Sequence, residues 1–149
     1  MSTKFSSVYD ELRTVLSTVF PDRTELNNPY VIEDDSDLMY DSGYTLGIGT
    51  GNNSNRVICG KATVRRDFVV ILTNRYTAPS RDIPARIAKE KQLLNAQQDL
   101  IKYMESNTSS ANIVSMSYTS DNGIEFLAGD RFGFLVLQSI VSIEYVEAL

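Results

Sequence analysis

Apolar positions recur along this chain with two different periods, and the switches between them mark out its elements. Val8, Leu12, Val15, Leu16 and Val19 repeat at helical spacing while Asp10, Glu11, Arg13 and Thr14 take the opposite face, which predicts a short N-terminal helix. Ser7-Val8-Tyr9-Asp10 reads as its capping box, with hydroxyl and carboxylate satisfying backbone donors, and Pro21 stops the helix. Asn28-Pro29-Tyr30-Val31-Ile32 reads as a short extended segment. Tyr44, Leu46 and Ile48 then alternate with smaller residues, and strand character returns at Val57-Ile58. The intervening polar tip, Gly49 to Asn55, is longer than a tight hairpin turn needs and predicts a projecting arm. Phe68-Val69-Val70-Ile71-Leu72 is apolar throughout, as expected of a strand buried on both faces and central in a sheet.

The helical period resumes after Thr77-Ala78-Pro79-Ser80, with Asp82 as N-cap and Pro84 tolerated in the first turn, and holds to about Ser106. Ile83, Ile87, Leu94 and Ile101 form one apolar line, which Leu93, Ala96, Leu100, Tyr103 and Met104 widen into a face able to cover a sheet. Arg86, Lys89 and Lys91 read as its solvated rim. The last third is strand-like. Ile113 to Tyr118 alternates, Asp121-Asn122-Gly123 offers a tight turn, Ile124 to Leu127 returns, and Gly129-Asp130 turns again. From Phe132 to Val146 one long strand places Leu135, Leu137, Val141, Ile143 and Tyr145 on one face and Phe134, Val136 and Ile140 on the other. Gln138, Ser139 and Ser142 interrupt this run and predict a bend. The sum is an α+β fold: a mostly antiparallel sheet with a short N-terminal helix and one long helix packed on it, in a single domain over 1–149 with a polar arm at about 49–56.

Charge and chemistry narrow the function classes. A formal net charge of -5 and a pI near 4.7 argue against a general nucleic-acid binder, which needs a basic face to neutralise phosphates. With no histidine, the side chain best suited to acid–base work near neutral pH is absent, along with every Ser-His and Cys-His nucleophile. Cys59 is the only cysteine, so no intramolecular disulfide or thiolate cluster forms, and beside a strand it reads as a small buried hydrophobe. Gly47, Gly49 and Gly51 lack the third-glycine spacing and following helix of a dinucleotide loop, and Gly60-Lys61 lacks the rest of a P-loop. No apolar run is long enough to cross a bilayer and no signal-peptide core is present, so a soluble protein made inside the cell is expected. No catalytic, cofactor or metal residues are assigned, although a hydrolase using paired carboxylates stays formally open.

Interaction surfaces therefore carry the functional argument. Glu33, Asp34, Asp35, Asp37 and Asp41 crowd into one connection without a base among them, and Asp35-x-Asp37 is not continued as a calcium loop. Arg65, Arg66 and Arg75 flank the central strand. They either solubilise its ends or pair with the acids Asp34, Asp35 and Asp37 of another subunit. Thr50, Gly51, Asn52, Asn53, Ser54, Asn55 and Arg56 are expected to form an arm that contacts a neighbouring subunit or another component.

The order of elements, with Asn28-Pro29-Tyr30, Gly43-Tyr44, Asn53-Ser54-Asn55-Arg56, Arg66-Asp67-Phe68-Val69-Val70-Ile71-Leu72 and the closing strand through Ile143-Glu144-Tyr145, resembles the tail-terminator or tail-completion proteins of long-tailed bacteriophages. The resemblance spans most of the chain and implies a virion protein of the tail's neck end, assembled in the host cytoplasm. It implies a ring, commonly hexameric, that caps the tail tube, stops its polymerisation and offers a face to the head–tail connector or neck protein. The implied partners are further copies of the chain, the tail tube protein and the connector, with DNA only passing through the lumen and no membrane. The alternatives are another phage neck or tail-tube protein, or a non-phage adaptor that binds proteins through an open sheet edge.

Overall fold

Fifteen residues, Phe5–Val19, form α1, and its helical stripe holds, with Val8, Leu12, Val15 and Leu16 buried. The computed structural model describes residues 4–27, 42–58, 61–76, 83–107, 110, 112–128 and 133–148. The expected capping box is not formed. The helix starts two residues earlier than Ser7, after Lys4, whose carbonyl accepts the Ser7 and Val8 amides while no side chain caps the end. Glu11 also departs from expectation, since one of its carboxylate oxygens is buried without a hydrogen-bond partner. Phe20 closes the helix before Pro21, donating its amide to the Leu16 carbonyl at 2.9 Å.

Among the described residues five strands follow the order β1-β2-β3-β5-β4, where β1 is Thr24–Glu25, β2 Ser42–Ile58, β3 Lys61–Tyr76, β4 Ser115–Ala128 and β5 Gly133–Ala148. Only the two-residue β1 runs parallel to its neighbour; the other pairs are antiparallel. The expected α+β architecture is what the chain adopts, with β3 in the middle of an open sheet and α1 and the long helix α2 (Ile83–Ser106) packed against it.

Alternation along the strands decides which face the helices cover. Tyr44 and Leu46 of β2, Phe68, Val70 and Leu72 of β3, and Leu135, Leu137, Val141, Ile143 and Tyr145 of β5 form one core with α1 and α2. Burying a side chain such as Phe68 fully contributes about 1.5–3 kcal/mol. Phe5 stacks on Phe68 at 5.8 Å between ring centroids and meets Tyr145 at 6.1 Å, pinning the start of α1 to the sheet. Val69 and Ile71 lie on the other face and are only partly buried, so β3 is central without being sealed on both sides.

Three other expectations are corrected, all concerning where strands stop. The Gly/Asn segment is no loop between strands: β2 continues through it, with Gly51, Asn52 and Asn53 opposite Arg66, Arg65 and Val64. Its irregularity is taken up as register shifts between Ile48 and Gly51 and between Asn53 and Val57. Likewise Asp121-Asn122-Gly123 does not turn the chain. It forms an irregularity inside the single strand β4, where Gly123 uses a positive φ of 75° and donates its amide to Asp121 Oδ1. In β5 no bend occurs, and it pairs with β3 in one unbroken register from Lys61↔Ala148 to Tyr76↔Gly133. The interrupting serines serve as polar ties instead. Ser139 accepts from the Tyr118 hydroxyl at 3.0 Å, and Ser142 donates to Asp67 at 2.6 Å.

The long helix has the expected bounds but a different rotation. Leu93, Ala96, Leu100 and Met104 are buried, whereas Ile83, Ile87 and Leu94 are exposed. Two apolar lines run along α2, and the sheet covers only one. The N-cap at Asp82, the segment Asn28 to Ile32, the turn at Gly129-Asp130 and Cys59 lie outside the described residues.

Candidate interaction surface

The side regions of the open sheet hold the features with binding capacity. On one side β1 covers only Gly43 and Tyr44 of β2, with the Leu26 amide adding a bond to the Tyr44 carbonyl at 2.8 Å. Beyond that point the outer edge of β2 has no strand partner among the described residues. On the opposite side β4 is the terminal strand over its whole length among the described residues. Unpaired strand edges present rows of amide and carbonyl groups suited to pairing with another chain.

Arg66 belongs to the fold rather than to a free surface. Its guanidinium lies 4.7 Å from the Phe5 ring centroid and donates to the Gly49 carbonyl at 3.2 Å. A Cβ at Gly51 would fall 2.6 Å from the guanidinium carbon, so the absent side chain there is what lets Arg66 lie across β2. Arg75 is buried as well, at 6% exposure. Of the three strand-flanking arginines, Arg65 is the exposed one, opposite Asn52 on β2 and Glu144 on β5. Thr50 and Gly51 are exposed on β2; the side chains of Asn52, Asn53, Ser54, Asn55 and Arg56 lie outside the described residues. Asp34, Asp35 and Asp37 lie outside them too, so the structure does not bring the acidic connection and the arginines together.

Exposed apolar side chains are unevenly distributed. Ile83, Ile87 and Leu94 on α2, Val114 just before β4 and Phe126 on β4 are each exposed by a third or more, and Ile48 on β2 is the corresponding residue at the other edge. The placement of α2 follows from its polar contacts. Gln97 donates to the Tyr118 hydroxyl at 2.6 Å and to Asp121 at 2.8 Å, and Arg86 lies 5.5 Å from the Phe126 ring centroid while bridging to Glu90. Gln92, Asn95, Ala96 and Asp99 instead line a cleft of about 500 Å³ shared with the end of α1. The Ile83–Ile87–Leu94 line therefore runs on the side of α2 turned toward β4. Sequence reasoning found these residues but assigned them to the core; nothing in spacing alone separates two apolar lines on one helix.

Arg23 organises the sheet end near β1. One guanidinium nitrogen donates to the Gly43 and Thr73 carbonyls and to Asn74 Oδ1 at 3.3, 2.9 and 3.0 Å, and burial lowers its pKa to about 10. Asn74 in turn donates to the Lys89 carbonyl of α2 at 2.9 Å. These contacts fix α2 over β3 and so set the position of its exposed line. Sequence reasoning missed Arg23, whose only signal is a lone arginine after a helix.

Among the described residues no group of three acidic or cysteine side chains is placed to hold a metal, and no helix is long and apolar enough to cross a membrane. No protein-family model matches the chain, and no curated protein sequence matches it.

Proposed function

We propose that this chain is a structural virion protein that assembles into a ring, most simply a hexamer, on the end of a phage tail tube. The ring stops tube polymerisation and gives the head connector or neck protein a face to join. Its work is geometric rather than catalytic, it sits at the neck end of the tail after assembly in the host cytoplasm, and DNA only traverses its lumen.

The observation supporting this reading is the open, mostly antiparallel sheet in which β2, covered by β1 only at Gly43 and Tyr44, and β4 run in opposite directions on opposite sides. Placing β2 of one copy beside β4 of the next continues the antiparallel order without turning either copy over. Head-to-tail contacts of that kind close into rings when the rotation between copies divides a full turn. The resemblance in element order supplies the tail end as the site of action. An adaptor that captures an extended segment on the 14-residue edge of β4 is the second reading, favoured by the same free edge.

Solution mass measured by light scattering, alone and with purified tail tubes, tests the proposal together with negative-stain images of the mixture. Rings in solution or capping tube ends are expected. A protein that stays monomeric and leaves tube ends bare would overturn it.

A further inference from the structure

We infer that in such a ring the apolar surface of α2 and β4 is covered by the β2 edge of the next copy, with Ile48 as the inserted side chain. This inference rests on the ring reading and specifies its contact. Ile83, Ile87, Leu94 and Phe126 lie toward the β4 side, while Ile48, 54% exposed, lies on the helix-bearing face of β2 beyond the reach of β1. Exposed apolar groups at both edges, on the same face of the sheet, meet when a second copy extends the sheet in the same sense. Each edge alone leaves apolar surface in water, and the two together remove it.

The presence of exposed apolar side chains at both edges favours this occupant over a two-fold partner. A two-fold contact of β4 on β4 is antiparallel as well, but it leaves Ile48, on the far side of the sheet, in water in both copies. The head-to-tail contact covers Ile48 and Phe126 together, on a stretch of β2 that β1 leaves open. The stagger also fits closure. Through the ladders, Phe126 falls on the row of Asn74 and Ile48 on the row of Phe68, six positions apart on β3. Aligning them shifts neighbouring copies by about 20 Å along the strands over four strands spanning about 19 Å, a slope of about 45°, at the upper end of the tilt seen in closed barrels.

The test uses chains with Cys59→Ser, into which Ile48→Cys and Phe126→Cys are placed singly and together, treated with a short bis-maleimide in the presence of tail tubes. Mixed single-cysteine chains should cross-link to each other and neither to itself, and the double variant should give a ladder ending at the ring size. Phe126→Glu should leave the far-ultraviolet spectrum unchanged and weaken assembly by at least about tenfold, as expected for a central contact residue. Cross-links of like with like, or rings on tubes with no Ile48–Phe126 product, would overturn this contact and leave the ring reading standing. A chain that never assembles, with or without tubes, would overturn both.

Discussion

The three arginines flanking the central strand are alike in sequence and unlike in environment. Arg66 lies over Phe5 and holds the Gly49 carbonyl, Arg75 is buried, and Arg65 faces water. Arg65→Glu should shift the urea midpoint by the equivalent of no more than about 0.5 kcal/mol, because an exposed site lets water solvate either charge. Arg75→Glu should lose about 3 kcal/mol or more in the same assay, because it leaves a carboxylate in a buried cationic site. Two buried tyrosines add a pH dependence. Burial raises the pKa of Tyr44 and of Tyr145 above the ordinary 10.0, so the fold holds their protons more tightly than the unfolded chain does. Their contribution is complete below pH 10 and is lost as pH rises through the folded values. Arg23 works in the opposite sense: its folded pKa of about 10 lies below the ordinary 12.5, so its contribution grows with pH across that interval. Replacing both tyrosines by Phe should therefore reduce the loss of stability between pH 9 and pH 11, read as urea midpoints.

At the scale of elements, much of the fold is legible in the sequence. The α1 stripe, the central place of Phe68 to Leu72, the two faces of the last strand and the bounds of α2 all follow from periodicity, because burial imposes the period. What periodicity does not reveal is whether a Gly/Asn cluster turns the chain or bulges it. Gly49 to Asn55 and Asp121 to Gly123 have the composition of turns, yet the neighbouring strand keeps pairing across both, and tertiary pairing decides the outcome. Gly123 gives a clean measurement of what the bulge requires. A Cβ there meets nothing within 4 Å, so Gly123→Ala reports only the cost of positive φ, expected to be about 1 kcal/mol in chemical denaturation, with Gly123→Asn costing less. The rotation of α2 was the other illegible feature. Ile83, Ile87 and Leu94 are as regularly spaced as Leu93, Leu100 and Met104, and the ties from Asn74 and Gln97 choose between them.

At the scale of the whole molecule, the interface residues divide into those the fold has already used and those it leaves outward. Among the described residues Arg65 is the exposed one of the proposed interface charges, so on the proposed ring reading Arg65→Glu should weaken assembly or tube capping by an amount that shrinks as salt is raised, measured by sedimentation across a salt series. Unchanged assembly would remove Arg65 from the contact. The acidic connection from Glu33 to Asp41 was legible as a charge cluster but its site is not, since like charges in one segment say nothing about which surface they face.

The uninterrupted ladder between β3 and β5 bears on how this molecule breathes. Because β3 is bonded to β2 on one side and to β5 on the other, releasing its amides to solvent requires opening the sheet at its middle, while β4 and β1 can peel away from the margins. Deuterium uptake should therefore be slowest from Phe68 to Leu72 and fastest at Thr24 and Glu25. Docking of a neighbour should slow exchange along β4 while leaving β3 at its original pace.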